Sequence, residues 1–194
     1  MSERLIPTPS QTVGPFFHFG LERAEWSDLA RSGTPGERIA IEGRILDGDG
    51  APVADAFLEL WQADAAGRYS HPDDPRFDET QGSGFLGFGR VFTDGDGAFR
   101  FLTIRPGPVA GLGNSLQAPH IAVAVFARGL LKQLYTRIYF ADEPANESDP
   151  VLGSIEDMSQ RNTLLAVRRE ETEIPVYRFD IVLQGPEETA FFDL

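Results

Sequence analysis

Apolar and polar side chains alternate along short stretches of this sequence, and glycine-rich turns separate the stretches. Ile39, Ile41 and Ile45 alternate with small or polar neighbours, and the turn Asp-Gly-Asp-Gly follows at 47–50. The same arrangement returns around a second Asp-Gly-Asp-Gly turn at 94–97, with alternating phenylalanines after it. Period-two alternation that ends at turn residues is typical of β-hairpins. The two segments therefore predict two hairpin-like units.

Further strands and a few short helices are predicted along the rest of the chain. Other strand-like stretches lie at 56–62, 120–126, 133–140, 177–183 and 189–192. A short helix is expected at 21–31 around Trp26, and the spacing of Ser154 and Asp157 approximates a capping box before residue 164. Many short strands between glycines and prolines predict an all-β fold, an antiparallel β-sandwich with an irregular N-terminal arm and one or two short helices.

The chain is expected to form a single domain that spans residues 1–194. Its 194 residues, of which 41% are hydrophobic, suffice for one substantial core. Residues 1–37 would form the arm and a short helix, and residues 38–194 would form the sandwich.

The N-terminal arm is unusually rich in aromatic residues. Residues 6–20 follow neither a helical nor a strand period, yet they include Phe16, Phe17 and Phe19. A phenylalanine left in water costs roughly 1.5–3 kcal/mol relative to a buried one. We therefore expect this arm to pack against other apolar surface, on this chain or on a partner.

The composition excludes several classes of function. Cysteine is absent, which rules out disulfide scaffolds, thiolate metal sites and cysteine nucleophiles. A net charge of −13 disfavours nucleic acid, whose phosphates require clustered lysine and arginine. Neither a run of eighteen apolar residues nor a secretory apolar region is present, so we expect a cytoplasmic protein without a membrane span.

Common catalytic motifs are also missing from the sequence. The three histidines, His18, His71 and His120, lie in separate segments. The Gly-x-Ser-x-Gly elbow of α/β-hydrolases is absent, and the glycine-rich segment at 82–89 lacks the spacing of a P-loop or a dinucleotide site. The Asp-Gly-Asp-Gly turns do not lead to the glutamate that completes an EF-hand loop. Hydrolysis, phosphate binding and calcium binding are therefore disfavoured.

Three segments carry a more specific signal, WQADAAGRYSH at 61–71, DGDGAFRFLTIRPGP at 94–108 and APHIA at 118–122. They resemble the intradiol ring-cleaving dioxygenases, oxidoreductases of aromatic degradation that add both atoms of O2 to a catechol. The likeness is greatest to the two-chain, protocatechuate-cleaving members, in which an iron-free alpha chain pairs with an iron-bearing beta chain. It extends over almost the whole chain, notably at 8–21, 118–130, 136–143 and 178–194.

The resemblance also implies which residues concern iron. In catalytic family members two tyrosines and two histidines hold ferric iron, Fe(III), and a His-x-His pair on a strand presents both rings on one face. Tyr69 and His120 match two of these positions, but Val109 and Ala122 stand at the other two. Gln117 replaces the arginine that usually precedes the histidine strand. The chain is therefore expected to bind no metal, and Fe(III) would be held by the partner beta chain.

The resemblance places other residues of this chain at the partner's substrate pocket. Thr12, Gly14 and Pro15 would line it from the arm, with Gly14 permitting close approach and Pro15 stiffening the chain. Arg128 would neutralise the carboxylate of a small aromatic substrate. Eight residues of strand span roughly 27 Å, so Arg128 should not reach His120. Arg137 is a weaker candidate, and a salt bridge remains the alternative role for Arg128.

Two other functions remain open from the residues. The first is a non-catalytic binding module similar to transthyretin, which would need neither a partner nor the arm. The second is an autonomous iron dioxygenase with a relocated site that recruits His71 or His18. The leading expectation is a hetero-oligomer, because the arm and the aromatic C-terminal residues Phe191 and Phe192 offer apolar surface for a partner.

Overall fold

The computed structural model describes residues 9–30, 33–77, 85–169 and 173–193. Within these ranges the strands are β1 Arg38–Leu46, β2 Phe57–Gln62, β3 Phe88–Phe92, β4 Ala98–Ile104, β5 Val109–Ala110, β6 Leu116–Gln117, β7 His120–Phe126, β8 Leu134–Phe140, β9 Leu165–Arg169, β10 Val176–Arg178 and β11 Ile181–Val182. The α-helices are α1 Pro15–Leu21, α2 Pro150–Ser154 and α3 Met158–Asn162, and single 3-10 turns occupy Ala24–Ser27 and Pro144–Ser148.

The strands form two layers that share one core, so the predicted β-sandwich is confirmed. One layer has the order β3-β2-β7-β8, and the other places β10 between β1 and β9, with β4 on the far side of β1. Strand β9 joins the layers because it pairs with both β8 and β10. The sandwich is not wholly antiparallel, since β8 pairs with β9, and β1 with β10 and β11, in parallel. The long connection between β8 and β9 permits this parallel pairing.

The predicted alternation produces the core. Ile39, Ile41 and Ile45 of β1 are fully buried, as are Ile121 and Val125 of β7 in the facing layer. Buried residues from both layers belong to one apolar cluster. A period of two places such side chains on the inner face of each strand and leaves the other face for water or for covering segments.

The N-terminal arm differs from the prediction, because its helix lies earlier than expected. Residues Pro15–Leu21 form α1, whereas the helix predicted at 21–31 is reduced to the 3-10 turn Ala24–Ser27. Proline at the first helical position has a backbone angle already suited to a helix. Further on, the N–H of Leu29 donates to the carbonyl of Leu102, so pairing with the sheet replaces the helix.

One face of α1 covers the outer face of the sandwich. The ring of Phe17 lies 6.3 Å from that of Phe57, and the ring of His18 stacks 4.6 Å from that of Phe92. Phe16 and Phe19 point away and are 85% and 83% exposed. The expectation that the arm packs against apolar surface is thus met within this chain by Phe17, while two phenylalanines are left uncovered.

The C-terminal half also departs from the prediction in three places. The single helix expected before residue 164 is two five-residue helices, α2 and α3, which brings the described α-helices to three. The strand predicted at 177–183 is interrupted where the N–H of Phe179 donates to the carbonyl of Glu42. The strand predicted at 189–192 is reduced to one bridge between Tyr135 and Phe192, because this segment touches two different strands at single points.

No helix in the ranges above is long and apolar enough to cross a membrane.

Candidate functional site

The first candidate site, which we call the vestigial cleft, is the region at the end of β2 that holds Tyr69 and, on the neighbouring strands β7 and β8, His120, Ala122 and Arg137. The carboxylate of Asp64 accepts backbone hydrogen bonds from Ala66 and Arg68 and closes the turn. Gly67 has a φ of +72°, and a Cβ there would lie 1.9 Å from the carbonyl oxygen of Pro108, so only glycine fits. The turn then stacks the Tyr69 ring on Trp61, with 5.9 Å between ring centroids.

Tyr69 and Val109 line the same pocket, which has a volume of about 510 Å³. Val109 stands where the resemblance places the second tyrosine ligand. Trp61 and His71 line the pocket as well. Burial raises the pKa of the Tyr69 phenol above 10.0, while the charge of Arg137 opposes the shift. The structure therefore brings Tyr69 and Val109 together, as the motif comparison expects, but with an aliphatic side chain where a second phenol is required for iron.

His120 begins β7 and is buried beside this cleft. Its Nδ1 lies 2.8 Å from the carbonyl oxygen of Ala118, and its ring packs 5.5 Å from that of Tyr139. Burial, followed by the positive charge of Arg137, lowers the pKa of His120 from 6.5 to about 4. The imidazole is consequently neutral near pH 7. A neutral imidazole is the form that ligates metals, so the protonation state of His120 does not by itself prevent it from acting as a ligand.

Arg137 occupies the neighbouring position on β8. In the sheet it lies directly opposite Ala122, and Tyr139 lies opposite His120. Arg137 Nη1 donates to Gln117 Oε1 at 2.6 Å and to the Tyr139 hydroxyl at 3.2 Å. The sequence makes Arg137 a minor candidate for substrate contact, whereas the structure binds its guanidinium to Gln117 and Tyr139, close enough to Tyr69 and His120 for its charge to lower the pKa of both.

The sequence analysis did not identify Asp149 and Tyr139 as parts of this site. Asp149 is buried, accepts from the Ala118 N–H at 2.7 Å and caps α2 through the N–H groups of Val151 and Leu152. The Tyr139 hydroxyl lies 3.3 Å from an Asp149 carboxylate oxygen, and burial raises the pKa of Tyr139. The Asp-Pro pair at 149–150 is a helix-start signal that could have indicated the capping role, but not the contact with Tyr139.

The residues of this cleft do not fit a ferric ion. Of the expected donors only Tyr69 and His120 are present, and the position of the lost histidine faces Arg137. The described residues contain no group of three or more His, Asp or Glu side chains suited to a metal. His18 cannot complete the set here, because it lines a different pocket from Tyr69 and His71.

The second candidate site is a pocket of about 530 Å³ beneath the arm, which we call the arm pocket. Its lining includes Gly14, Phe17, Asp55 and Arg128. The Thr12 hydroxyl accepts a hydrogen bond from the Gly129 N–H at 2.8 Å. Gly129 has a φ of +87° and turns the chain just after β7.

The structure thus brings together most of the residues predicted to bind substrate. Gly14 and Arg128 line this pocket, and Thr12 lies next to it through its hydrogen bond with Gly129, 117 positions away in sequence. Pro15 begins α1, but its side chain lies outside the described residues. Arg128 lies two residues beyond the end of β7, whereas His120 is the first residue of that strand, so the arm pocket and the vestigial cleft lie at opposite ends of β7.

Comparison with known proteins identifies the family to which this chain belongs. The family model described as "Dioxygenase" matches residues 14–185. The chain therefore belongs to this dioxygenase family, the intradiol ring-cleaving oxidoreductases. Membership places it with enzymes and not with the transthyretin-like binding modules that the sequence also allowed.

Within the family, the chain is similar to alpha chains of one enzyme over nearly its whole length. The protocatechuate 3,4-dioxygenase alpha chains of Pseudomonas putida and Burkholderia cepacia are 42% and 44% identical over 203 residues, covering 98% of this chain and of theirs. The beta chain from Burkholderia cepacia is 36% identical over 93% of this chain and 77% of its own. A solved dioxygenase domain from Streptomyces sp. SirexAA-E superposes with a TM-score of 0.63 at 29% identity, covering 94% of this chain and all of that one.

Proposed function

We propose that this chain is the iron-free alpha-type subunit of a protocatechuate 3,4-dioxygenase, acting in the cytoplasm. The complete enzyme would cleave 3,4-dihydroxybenzoate with O2 to 3-carboxy-cis,cis-muconate, within the β-ketoadipate pathway of aromatic degradation. Fe(III) held by a beta-type chain would supply the chemistry that joins O2 to the catechol. The similarity to alpha chains over 98% of the sequence supports this role.

The observation that carries the proposal is the separation of the two sites. The vestigial cleft offers two of four iron donors, whereas Gly14 and Arg128 line the arm pocket beside the exposed side of α1, with Thr12 bonded to the adjacent Gly129. A pocket wall without a metal is suited to completing the active site of another chain. We assign no catalytic residue to this chain by itself.

Within that pocket the residues would have distinct roles. Arg128 would bind the substrate carboxylate through charge-assisted hydrogen bonds. Thr12 would fix the arm against Gly129, and Gly14 and Pro15 would form the wall past which the substrate enters. Each of these roles would serve the binding or orientation of the substrate, and none would involve iron ligation or proton transfer.

Co-expression with a beta-type chain tests the proposal. We expect the two chains to co-purify, and O2 uptake with protocatechuate to require both. An iron-containing preparation of this chain alone that cleaves protocatechuate would instead support the autonomous dioxygenase. Failure to bind any beta-type chain, combined with binding of a carbohydrate or peptide, would favour a binding module.

A further inference from the structure

Arg137 is a cation whose hydrogen-bond partners Gln117 and Tyr139 are both neutral groups. Its Nη1 donates to an amide oxygen, Gln117 Oε1 at 2.6 Å, and to a phenol, the Tyr139 hydroxyl at 3.2 Å. The guanidinium carbon also lies 5.9 Å from the centroid of the Phe192 ring. Arginine commonly pairs with a carboxylate, whose two oxygens match the fork of the guanidinium. Its contacts therefore indicate that Arg137 is held in the cleft by the cleft's own polar groups.

The sheet register places Arg137 beside the missing ligand. Ala122 lies between Trp61 on β2 and Arg137 on β8, and directly opposite residues of paired strands project from the same face. Alanine leaves space there, because its side chain ends at Cβ. The guanidinium extends from the next strand on that face. It is near enough to Tyr69 and His120 for its positive charge to lower the pKa of each.

We propose that Arg137 is the resident cation of the vestigial cleft, so that the cleft excludes ferric iron by positive charge as well as by its missing ligands. A metal ion entering beside a fixed guanidinium would be repelled in a partly buried region where charges are poorly screened. The hydrogen bonds to Gln117 and Tyr139 keep the guanidinium in place. Restoring the two ligands alone would then not restore a metal site. This inference concerns the chain's own cleft and does not depend on the partner or substrate proposed above.

The main test restores the ligand set with and without Arg137. The full chain first receives Val109→Tyr and Ala122→His. A third substitution is then added, either Arg137→Gln or Arg137→Lys. The matched control carries Arg169→Gln instead, at an exposed site. We expect stoichiometric iron and visible iron-tyrosinate absorption only with Arg137→Gln. If a beta-type chain is co-expressed, the iron content of each variant complex is compared with that of the unsubstituted complex, and only the excess is assigned to this chain.

A second pair of variants leaves the buried Val109 unchanged. Ala122→His alone and with Arg137→Gln would each present two imidazoles on one face of β7 near Tyr69, a donor set suited to divalent cobalt. We expect Co²⁺, followed by its visible spectrum, to bind at least about tenfold more tightly when Arg137 is replaced, because a nearby like charge is removed.

Three results would overturn the proposal. Iron uptake by the Val109→Tyr, Ala122→His protein with Arg137 intact would show that the guanidinium is no barrier. Equal uptake with Arg137→Lys and Arg137→Gln would show that space and not charge is decisive. No gain of iron or of cobalt affinity on replacing Arg137 would show that the resident cation does not control metal entry.

Discussion

Arg128 and Asp55 form an ion pair at the rim of the arm pocket, with Arg128 Nε 3.1 Å from Asp55 Oδ2. The arginine side chain is 77% exposed, and exposed pairs typically stabilise a protein by only about 0–1 kcal/mol. A contact this weak orients the Arg128 guanidinium but leaves it free to bind another anion. Arg128 can therefore exchange part of this contact for a substrate carboxylate, and the two roles weighed for it are compatible in one geometry.

Replacement of Arg128 tests its role in substrate binding. In the assembled complex, Arg128→Ala should remove a charge-assisted contact of about 1.5–3 kcal/mol and raise KM for protocatechuate more than it lowers kcat, since a remote group is bound in ground and transition states alike. Steady-state kinetics with a catechol that lacks the carboxylate provide the comparison, and the loss should shrink there. Equal losses for both substrates, reproduced by Asp55→Asn, would leave Arg128 only a structural salt bridge.

The arm should depend on the hydroxyl of Thr12. Thr12→Val removes the acceptor of the Gly129 N–H and should cost about 1 kcal/mol of arm docking, with a higher KM and an unchanged melting temperature of the sandwich. Ser10→Ala, at an exposed arm position, is the control. A KM unchanged by Thr12→Val would argue that the arm does not need this hydrogen bond to line the pocket.

The exposed phenylalanines of α1 should serve assembly more than folding. Phe16→Ser with Phe19→Ser is expected to abolish co-purification with a beta-type chain while the thermal unfolding of this chain stays unchanged, because both rings are already in water. Leu112→Ser, at a residue that is 96% exposed outside the arm, should leave assembly intact. Retained co-purification of the double variant would place the interface elsewhere.

The isolated chain should contain no stoichiometric ferric iron and no iron-tyrosinate absorption. The reason is the donor set, since Val109 and Ala122 supply no ligand atoms and Arg137 lies opposite Ala122. Metal analysis and visible spectroscopy provide the measurement. One iron per chain, with visible absorption that disappears in Tyr69→Phe, would contradict this expectation and revive the autonomous dioxygenase.

The buried His120 should make the chain less stable in mild acid. Its folded pKa of about 4 lies below the ordinary 6.5, so the unfolded state takes up the proton first and stability falls as the pH drops from 6.5 to 4. The loss attributable to His120 between pH 7 and pH 4 is roughly 3 kcal/mol. Urea unfolding of the chain and of His120→Gln across this range should show a flatter profile for the variant. Parallel profiles would mean that His120 titrates normally.

The sequence by itself determined the features that depend on local pattern. Alternation in β1 and β7 fixed which side chains face the core, because a strand has a period of two. The missing ligands at Val109 and Ala122 could also be read locally, since each position is set by a short motif. The family resemblance carried by the motifs also implied that Thr12 and Arg128 belong to one site.

Only the tertiary structure decided what depends on contacts between distant segments. The helix predicted at 21–31 does not form because Asp28 and Ala30 make bridges to other segments, contacts that the local sequence does not reveal. Arg137 enters the vestigial cleft because the β7–β8 register sets it opposite Ala122, a relation between strands that neither sequence segment contains. Thr12 reaches Gly129 for the same reason, since long-range hydrogen bonds arise from how the chain closes on itself.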